Sequence, residues 1–386
     1  MLSFAAAFAA RPNPPVTIDG LEVRLLRLPL VRFFETSFGR SYDRTFVLVR
    51  LRGDGVDGWG EAVADADPYY SSETTETVWH IVTEFLAPLV VGRAFGHPSG
   101  VWPALARVRG HHMAKAAIEM AAWDLHAKQQ GVPLWQALGG SGRPVASGVS
   151  IGIQDSLEQL EDRVAAERAD GYQRIKIKIK PGWDLEPVAR LRERFGAIPL
   201  MVDANAAYTL ADTTHLATLD QFDLMMIEQP LEYDDLLDHA TLQRALRTPI
   251  CLDESIVSPR IAALALREGA CRIINIKPGR MGGFLESRRV HDLCERAGVP
   301  VWHGGMLESG IGRAHNLHLS SLPNFRLPGD IAASRRYYAE DLIEPPIEVS
   351  PDGTVAVPSD GPGIGVAVEH ARVARATLRH TEISST

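Results

Sequence analysis

The chain has 386 residues, 45% hydrophobic and 23% charged, with a formal net charge of −8. That length admits two or three domains, or one barrel with an addition, and supplies ample material for a large core. The acidic balance argues against nucleic acid or an anionic membrane as main partner, while a small anionic substrate stays open because a metal and lysines can make one pocket positive.

No apolar stretch approaches the ~20 residues that a membrane helix needs. The opening MLSFAAAFAARPNPP has a short apolar run and no basic region, so residues 1–16 read as a flexible extension rather than a secretory signal. Residues 17–30 and 44–52 read as strands, and VRFFETSFGRSYD (31–43) as a polar, aromatic loop long enough to reach over something. Asp54-Gly55 is a hairpin signal. In 114–130 apolar positions recur every three to four residues and Gly131 follows as a stop, which predicts a helix. Strands followed by helices predict a separate α+β domain over residues 17–140, with GGSGRP (139–144) as the linker out of it.

From residue 145 to 340 strands and helices alternate. Candidate strands begin near Val145, Arg174, Pro199, Leu224, Pro249, Arg272, Pro300 and, least defined, Phe325. The runs are apolar on both faces, as in a parallel sheet covered on both sides. Eight units and polar residues at successive strand ends favour a (β/α)8 barrel over a doubly wound sheet. Cys251, Cys271 and Cys294 show no CxxC or zinc spacing and read as buried, unreactive thiols, which fits a reducing cytoplasm. Residues 341–386 are rich in Pro and Gly and are expected to pack back on the first domain, with the final TEISST disordered.

Five residues recur along this barrel at steps of 25, 25, 25 and 24: Lys178, Asp203, Glu228, Asp253 and Lys277. A βα unit takes about that many residues, and such barrels place their chemistry at the C-terminal strand ends. Asp203, Glu228 and Asp253 therefore point into one space from neighbouring strands, where without a cation at least one would be protonated. Oxygen ligands on rigid strands suit Mg2+. Glu254 is a candidate support for this cluster, and Asn205, which shares a strand face with Asp203, is a candidate donor to a ligand or the substrate. In RIKIKIK the alternation puts Lys176, Lys178 and Lys180 on one face, which must point inward in a closed barrel. By alternation alone Lys180 rivals Lys178. Lys277, on the sixth strand, lies opposite the second. Two lysines flanking a carboxylate held on a metal suit removal of the proton next to that carboxylate, and a neighbouring cation and second lysine would lower a lysine's pKa toward a neutral base. His303 is a lone histidine and reads as a core or loop residue.

These residues resemble the enolase superfamily, and the Lys on each side resembles its muconate-lactonizing-enzyme subgroup. More narrowly, KIKIKPGWD (176–184), DANAAYTL (203–210), IEQPL (227–231), LDES (252–255), INIKPGRMGG (274–283), GGMLESGIGRAHN (304–316) and MAKAAIEMAAWDL (113–125) resemble the o-succinylbenzoate synthase / N-succinylamino acid racemase family. The resemblance implies an enolase-like, modified TIM barrel under an N-terminal capping domain that the C-terminal tail completes. It implies Lys178 as general base, supported by Lys176, with Lys277 as the opposite acid/base or a cation in dehydration. It implies Mg2+ on Asp203, Glu228 and Asp253, with Mn2+ or Co2+ able to substitute. Ser150, Met306, Leu307, Glu308, Phe38, Gly39 and Tyr70 are implied substrate contacts, and Arg280 matches members that racemise N-acylamino acids. A cytoplasmic homo-oligomer acting in menaquinone synthesis or amino-acid metabolism is expected. Dipeptide epimerase is disfavoured because FRLPGDIAAS holds only Asp330 where that group has Asp-x-Asp, and muconate cycloisomerase because MLESGIGRAHN fits the synthase/racemase type better. An inactive barrel used for binding is the non-enzyme alternative.

Overall fold

A computed structural model describes residues 15–385, so the first fourteen residues of the expected extension lie outside the described residues. Strands β1 (Gly20–Thr36), β2 (Gly39–Gly53) and β3 (Val56–Ala62) form an antiparallel meander. Asp54 and Gly55 turn β2 into β3 with φ of 52° and 75°, the left-handed pair that a tight hairpin requires. The expected loop over 31–43 is instead a hairpin arm. Pro29 offers no N–H and the ladder shifts register between Pro29 and Phe34, but pairing resumes there and runs to Thr36 opposite Gly39. Phe33, Phe34 and Thr36 suit extended backbone, and only Ser37 and Phe38 make the turn.

Helix α1 (His112–Gln129) lies across this sheet and is buried on every side from Met113 to Ala127. It is covered by the sheet and by the barrel, so its few polar residues, Lys115, Glu119, Asp124 and His126, are buried along with its apolar ones. Close approach depends on Gly58 and Gly60, where a Cβ would lie 2.2 Å from the Ala121 carbonyl oxygen and 2.0 Å from that of Ala117.

The barrel is built from β4 (Gly148–Ile151), α2 (Leu157–Ala169), β5 (Arg174–Lys178), α3 (Leu185–Phe195), β6 (Leu200–Asp203), α4 (Thr213–Ala217), β7 (Ile227–Glu228), α5 (Leu237–Ala245), β8 (Ile250–Leu252), α6 (Pro259–Glu268), β9 (Ile273–Ile276), the short α7 (Pro278–Met281), α8 (Phe284–Arg296), β10 (Val301–His303) and α9 (Gly310–Ser320). Strands β4 to β10 form one parallel sheet in chain order. The eighth strand expected near Phe325 is absent as a regular strand. Residues 324–330 close the ring by a few isolated backbone bonds: Val301 N to Asn324 O at 3.3 Å, Arg326 N to Val301 O at 3.2 Å and Asp330 N to His303 O at 2.7 Å on one side, and Gly148 N to Gly329 O at 2.7 Å and Gly329 N to Ala146 O at 3.0 Å on the other. Leu-Pro-Gly at 327–329 accounts for this, since proline lacks a donor and glycine weakens extended runs.

Inside the ring, Met201, Met226, Cys251, Ile273 and Trp302 form a separate apolar cluster. Met201, Met226 and Cys251 each precede one of the periodic acids by two residues, so the plug lies one layer beneath them. All three cysteines are buried and free.

The final residues correct the sequence reading. Thr377–Ser384 is a strand paired antiparallel with β1, from Thr377 opposite Leu26 to Ser384 opposite Gly20. Thr-Glu-Ile-Ser is short and polar, as suits an edge strand, and an open ladder supplies the partner that a local reading cannot see. No helix among the described residues is long and apolar enough to cross a membrane.

Trp302→Ala, which empties the centre of the plug, should cost about 3–5 kcal/mol of stability. Calorimetry against wild type checks this; an unchanged melting temperature would show that the plug does not support the fold.

Candidate active site

Parallel pairing places Lys178 beside Asp203 and Asp203 beside Glu228 at the strand ends. Asp253 follows β8 directly and Lys277 follows β9. Lys178 Nζ donates to Asp203 Oδ2 at 2.7 Å and to Asn205 Oδ1 at 2.6 Å. Asn205 in turn donates from Nδ2 to Glu254 Oε1 at 2.8 Å. Lys277 Nζ donates to Asp253 Oδ2 at 2.6 Å and to the Tyr70 hydroxyl at 3.0 Å. Arg280 forms a close ion pair with Asp253 Oδ1, which also accepts from the Tyr70 hydroxyl. Lys180 lies beyond the strand, half-buried, 3.4 Å from Glu35 of the arm. That places Lys178, and not Lys180, among the acids.

Lys176 lies deeper. Its Nζ is 2.6 Å from Asp330, 3.0 Å from Glu228 and 3.3 Å from Asp203, and stands 4.8 Å above the Trp302 ring. Asp330 also pairs with Arg174 at 2.7 Å. Asn275 donates to Glu228 Oε1 at 2.6 Å. Asp330 and Asn275 were not assigned these roles from sequence. Asn275 could have been, because it precedes Lys277 by two and shares its strand face. Asp330 could not, since its partners lie more than 150 residues away.

The electrostatics follow from burial and this pairing. Burial acts to raise Asp203, but Lys178 and Lys176 outweigh it and hold the carboxyl well below its usual range. Glu228 is raised, first by burial and then by the charge on Asp203. Glu254 is pushed up to about 7 by burial and then by Asp203. Burial would lower Lys176 and Lys277, yet Asp330, Glu228 and Asp203 raise the first, and Tyr70, Glu228 and Glu254 raise the second. The expected lowering of a lysine pKa is therefore reversed at Lys277 while acids and Tyr70 surround it. His303, at the end of β10, is buried and pushed down to about 3, as a neutral core histidine.

The three acids are not gathered as tightly as ion ligands. Among the described residues, the only His/Cys/Asp/Glu trio with ligand atoms all within 4.8 Å is His291, Asp292 and Glu295, on the outer helix α8. Both oxygens of Asp253 are engaged by Lys277, Arg280 and Tyr70. The donor set nevertheless fits a hard divalent cation. Asp203, Glu228 and Asp253 offer only oxygen. Glu254 brings a fourth carboxylate whose Oε2 is buried without a hydrogen-bond partner.

Above these residues lies a cleft of about 370 Å³. Its floor includes Lys178, Asn205 and Lys277, one wall Met306 and Leu307, and its roof Phe38, Gly39 and Tyr70 of the capping domain. Ser150 and Glu308 do not line it. Ser150 pairs in register with Lys176 at a deeper level, with its Oγ buried. Glu308 turns inward, accepting from Met306 N at 2.8 Å and Asn316 Nδ2 at 2.9 Å, so it shapes the 304–309 turn.

Known families match both domains of the chain. Residues 21–139 match the family described as mandelate racemase / muconate lactonizing enzyme, N-terminal domain, and residues 159–372 match the enolase C-terminal domain-like family. The chain belongs to the enolase superfamily. Enzymes of this superfamily are generally dependent on a divalent metal. The chain is 52% identical over 363 residues to o-succinylbenzoate synthase of Geobacillus kaustophilus, covering 94% of this chain and 96% of that one. It is 50% identical over 361 residues to N-succinylamino acid racemase of Thermus thermophilus, covering 94% and 97%. Among solved structures, an enolase-superfamily member from Listeria innocua superposes with a TM-score of 0.91 at 38% identity, covering 95% of this chain and 99% of that chain.

A divalent cation that binds only the folded protein should raise its melting temperature, by an amount that grows with concentration. Glu228→Gln should remove most of that increment; an increment equal to wild type would exclude Glu228 as a ligand.

Proposed function

We propose that this protein removes the proton from the carbon next to a carboxylate and acts as an N-succinylamino acid racemase that also has o-succinylbenzoate synthase activity. The observation that carries the reading is the pair of buried lysines on β5 and after β9, four strands apart in the sheet, with the acidic cluster on the strands between them. Asp203, Glu228 and Asp253 would hold the cation, and the hard oxygen set favours Mg2+. When bound, that ion supplies positive charge to the substrate carboxylate as it becomes an enediolate.

The chain's own groups do the rest. Lys178 takes the α-proton from one face, and Asn205 and Asp203 fix its amino group. Lys277, as ammonium, returns a proton to the opposite face, which inverts the centre. Tyr70 orients Lys277 through its hydroxyl. Lys176 stays charged between Glu228, Asp203 and Asp330 and favours their ionised forms. In dehydration one base suffices: Lys178 takes the α-proton and then hands it to the departing β-hydroxyl, which leaves as water, while Lys277 serves as a counter-charge. The succinyl arm is common to both substrates and would extend into the cleft beneath Phe38 and Tyr70. The relatives named for each activity, at 52% and 50% identity, support both. Asp330 supports this over a dipeptide amine site, because Arg174 and Lys176 already engage its carboxylate.

Lys178→Ala and Lys277→Ala should each abolish racemisation of an N-succinylamino acid, a loss on the order of 10²–10⁴-fold or more for a positioned acid or base. Each should retain solvent-deuterium exchange at Cα of one enantiomer. Near wild-type racemisation by either variant would refute the two-base assignment. Activity should also vanish in EDTA and return with Mg2+; full turnover in chelator would remove the metal from the scheme.

A further inference from the structure

Helix α1 carries a buried carboxylate that the chemistry above does not use. Glu119 is 0% exposed. Its Oε2 accepts from Phe284 N at 2.7 Å and its Oε1 from Leu285 N at 3.1 Å. Trp123 Nε1, one turn along the same helix, donates to Oε1 at 2.7 Å. Phe284 and Leu285 open α8, where free N–H groups and the positive end of the helix favour an anion. The residue before α8 is Gly283, which has no side chain to cap it. Its φ is 118°, and a Cβ there would lie 2.2 Å from Glu119 Oε2. The cap for a barrel helix is thus supplied by a helix of the other domain.

The turn held in this way begins at Lys277. Met281 N donates to Lys277 O at 3.1 Å, and Gly283 N to Pro278 O at 2.8 Å, so the backbone from Lys277 to Gly283 is closed on itself. Arg280, on the same turn, donates to Ile256 O at 2.9 Å. Two glycines let the capping domain press on it: a Cβ at Gly279 would meet Val63 at 2.3 Å, and one at Gly282 would meet Trp102 at 2.4 Å. Lys178, across the mouth, is held by the barrel side chains Asp203 and Asn205.

We propose that Glu119 is a positioning residue: it pins the far end of the 277–284 turn and thereby sets the position of the Lys277 amino group, without touching the reacting atoms. This rests on the two-base reading above. Its consequence is one-sided, because each lysine serves one face of the substrate.

The test follows solvent deuterium entering Cα of each enantiomer of an N-succinylamino acid. Lys277→Ala identifies the enantiomer whose proton Lys277 takes, as the one whose exchange it removes. Glu119→Gln keeps the size of the side chain but replaces one acceptor oxygen with a donor amide. It should slow exchange of that enantiomer about tenfold or more relative to the other, as displacement of a catalytic group does, with KM little changed. Glu119→Asp, which keeps both carboxyl oxygens on a shorter side chain, should show a smaller asymmetry of the same sign. Trp123→Phe removes the donor within α1 and leaves the cap on α8, and should keep the wild-type ratio. Equal slowing of both enantiomers, or none, would overturn the proposal. Loss of folding in both Glu119 variants would also overturn it, since the carboxylate would then be a determinant of the fold. A wild-type protein that exchanges neither enantiomer would instead overturn the proton-abstraction reading itself.

Discussion

Four carboxylates buried at the mouth of the barrel repel one another, and much of the surrounding structure holds that repulsion in check. Taking such charges out of water costs several kcal/mol each unless each is paired and hydrogen-bonded. Lys176 answers three acids at once and rests on the face of Trp302, so the plug and the charge cluster are one assembly. Lys178 and Lys277 answer Asp203 and Asp253. The same lysines that neutralise the acids are those best placed for chemistry, which ties stability and activity to one set of ion pairs.

The capping domain belongs to this assembly. Tyr70 reaches Lys277 and Asp253 from above, and Ser37 at the tip of the arm donates to Asn205 O at 3.3 Å. The arm is laid on the barrel by Ile153 N to Glu35 O at 2.9 Å, and Arg40 bridges Glu35 and Asp155 at 2.6 Å each. Glu61 of β3 accepts from Ser309 Oγ and N at 2.5 and 3.1 Å, joining the two domains on another side. These contacts surround the cleft, so its volume depends on how the domains meet.

The periodic acids and lysines were legible because each sits at a strand end and the βα unit has a nearly fixed length. The same logic carried Asn205, and extended by one step it reaches Asn275. Whatever depends on distant pairing was less legible. The arm read as a loop because its aromatic and polar residues do not alternate cleanly, and only the opposite strand fixes its register. The end of the C-terminal strand, from Thr381 on, read as disordered because its partner, β1, lies at the other end of the chain. Segment 324–330 has the place of a strand but its Pro and Gly deny it regular pairing. Ser150 and Glu308 sit near the cleft in sequence terms, yet one lies a layer too deep and the other is turned into its own loop. MAKAAIEMAAWDL gains a physical account only in three dimensions: its alanines admit the sheet, Glu119 caps α8, and Asp124 accepts from Trp59 N and Ile364 N at 2.9 and 2.8 Å.

The pairing of β1 with Thr377–Ser384 bears on how the molecule is made. Synthesis delivers β1 early and its outer neighbour only after the whole barrel has emerged from the ribosome. Until then that flank of the meander presents unpaired amides and carbonyls, an invitation to self-association that chaperones would have to mask. The capping unit is therefore finished after translation of the barrel, and any graft of it onto another scaffold must take the distant tail along.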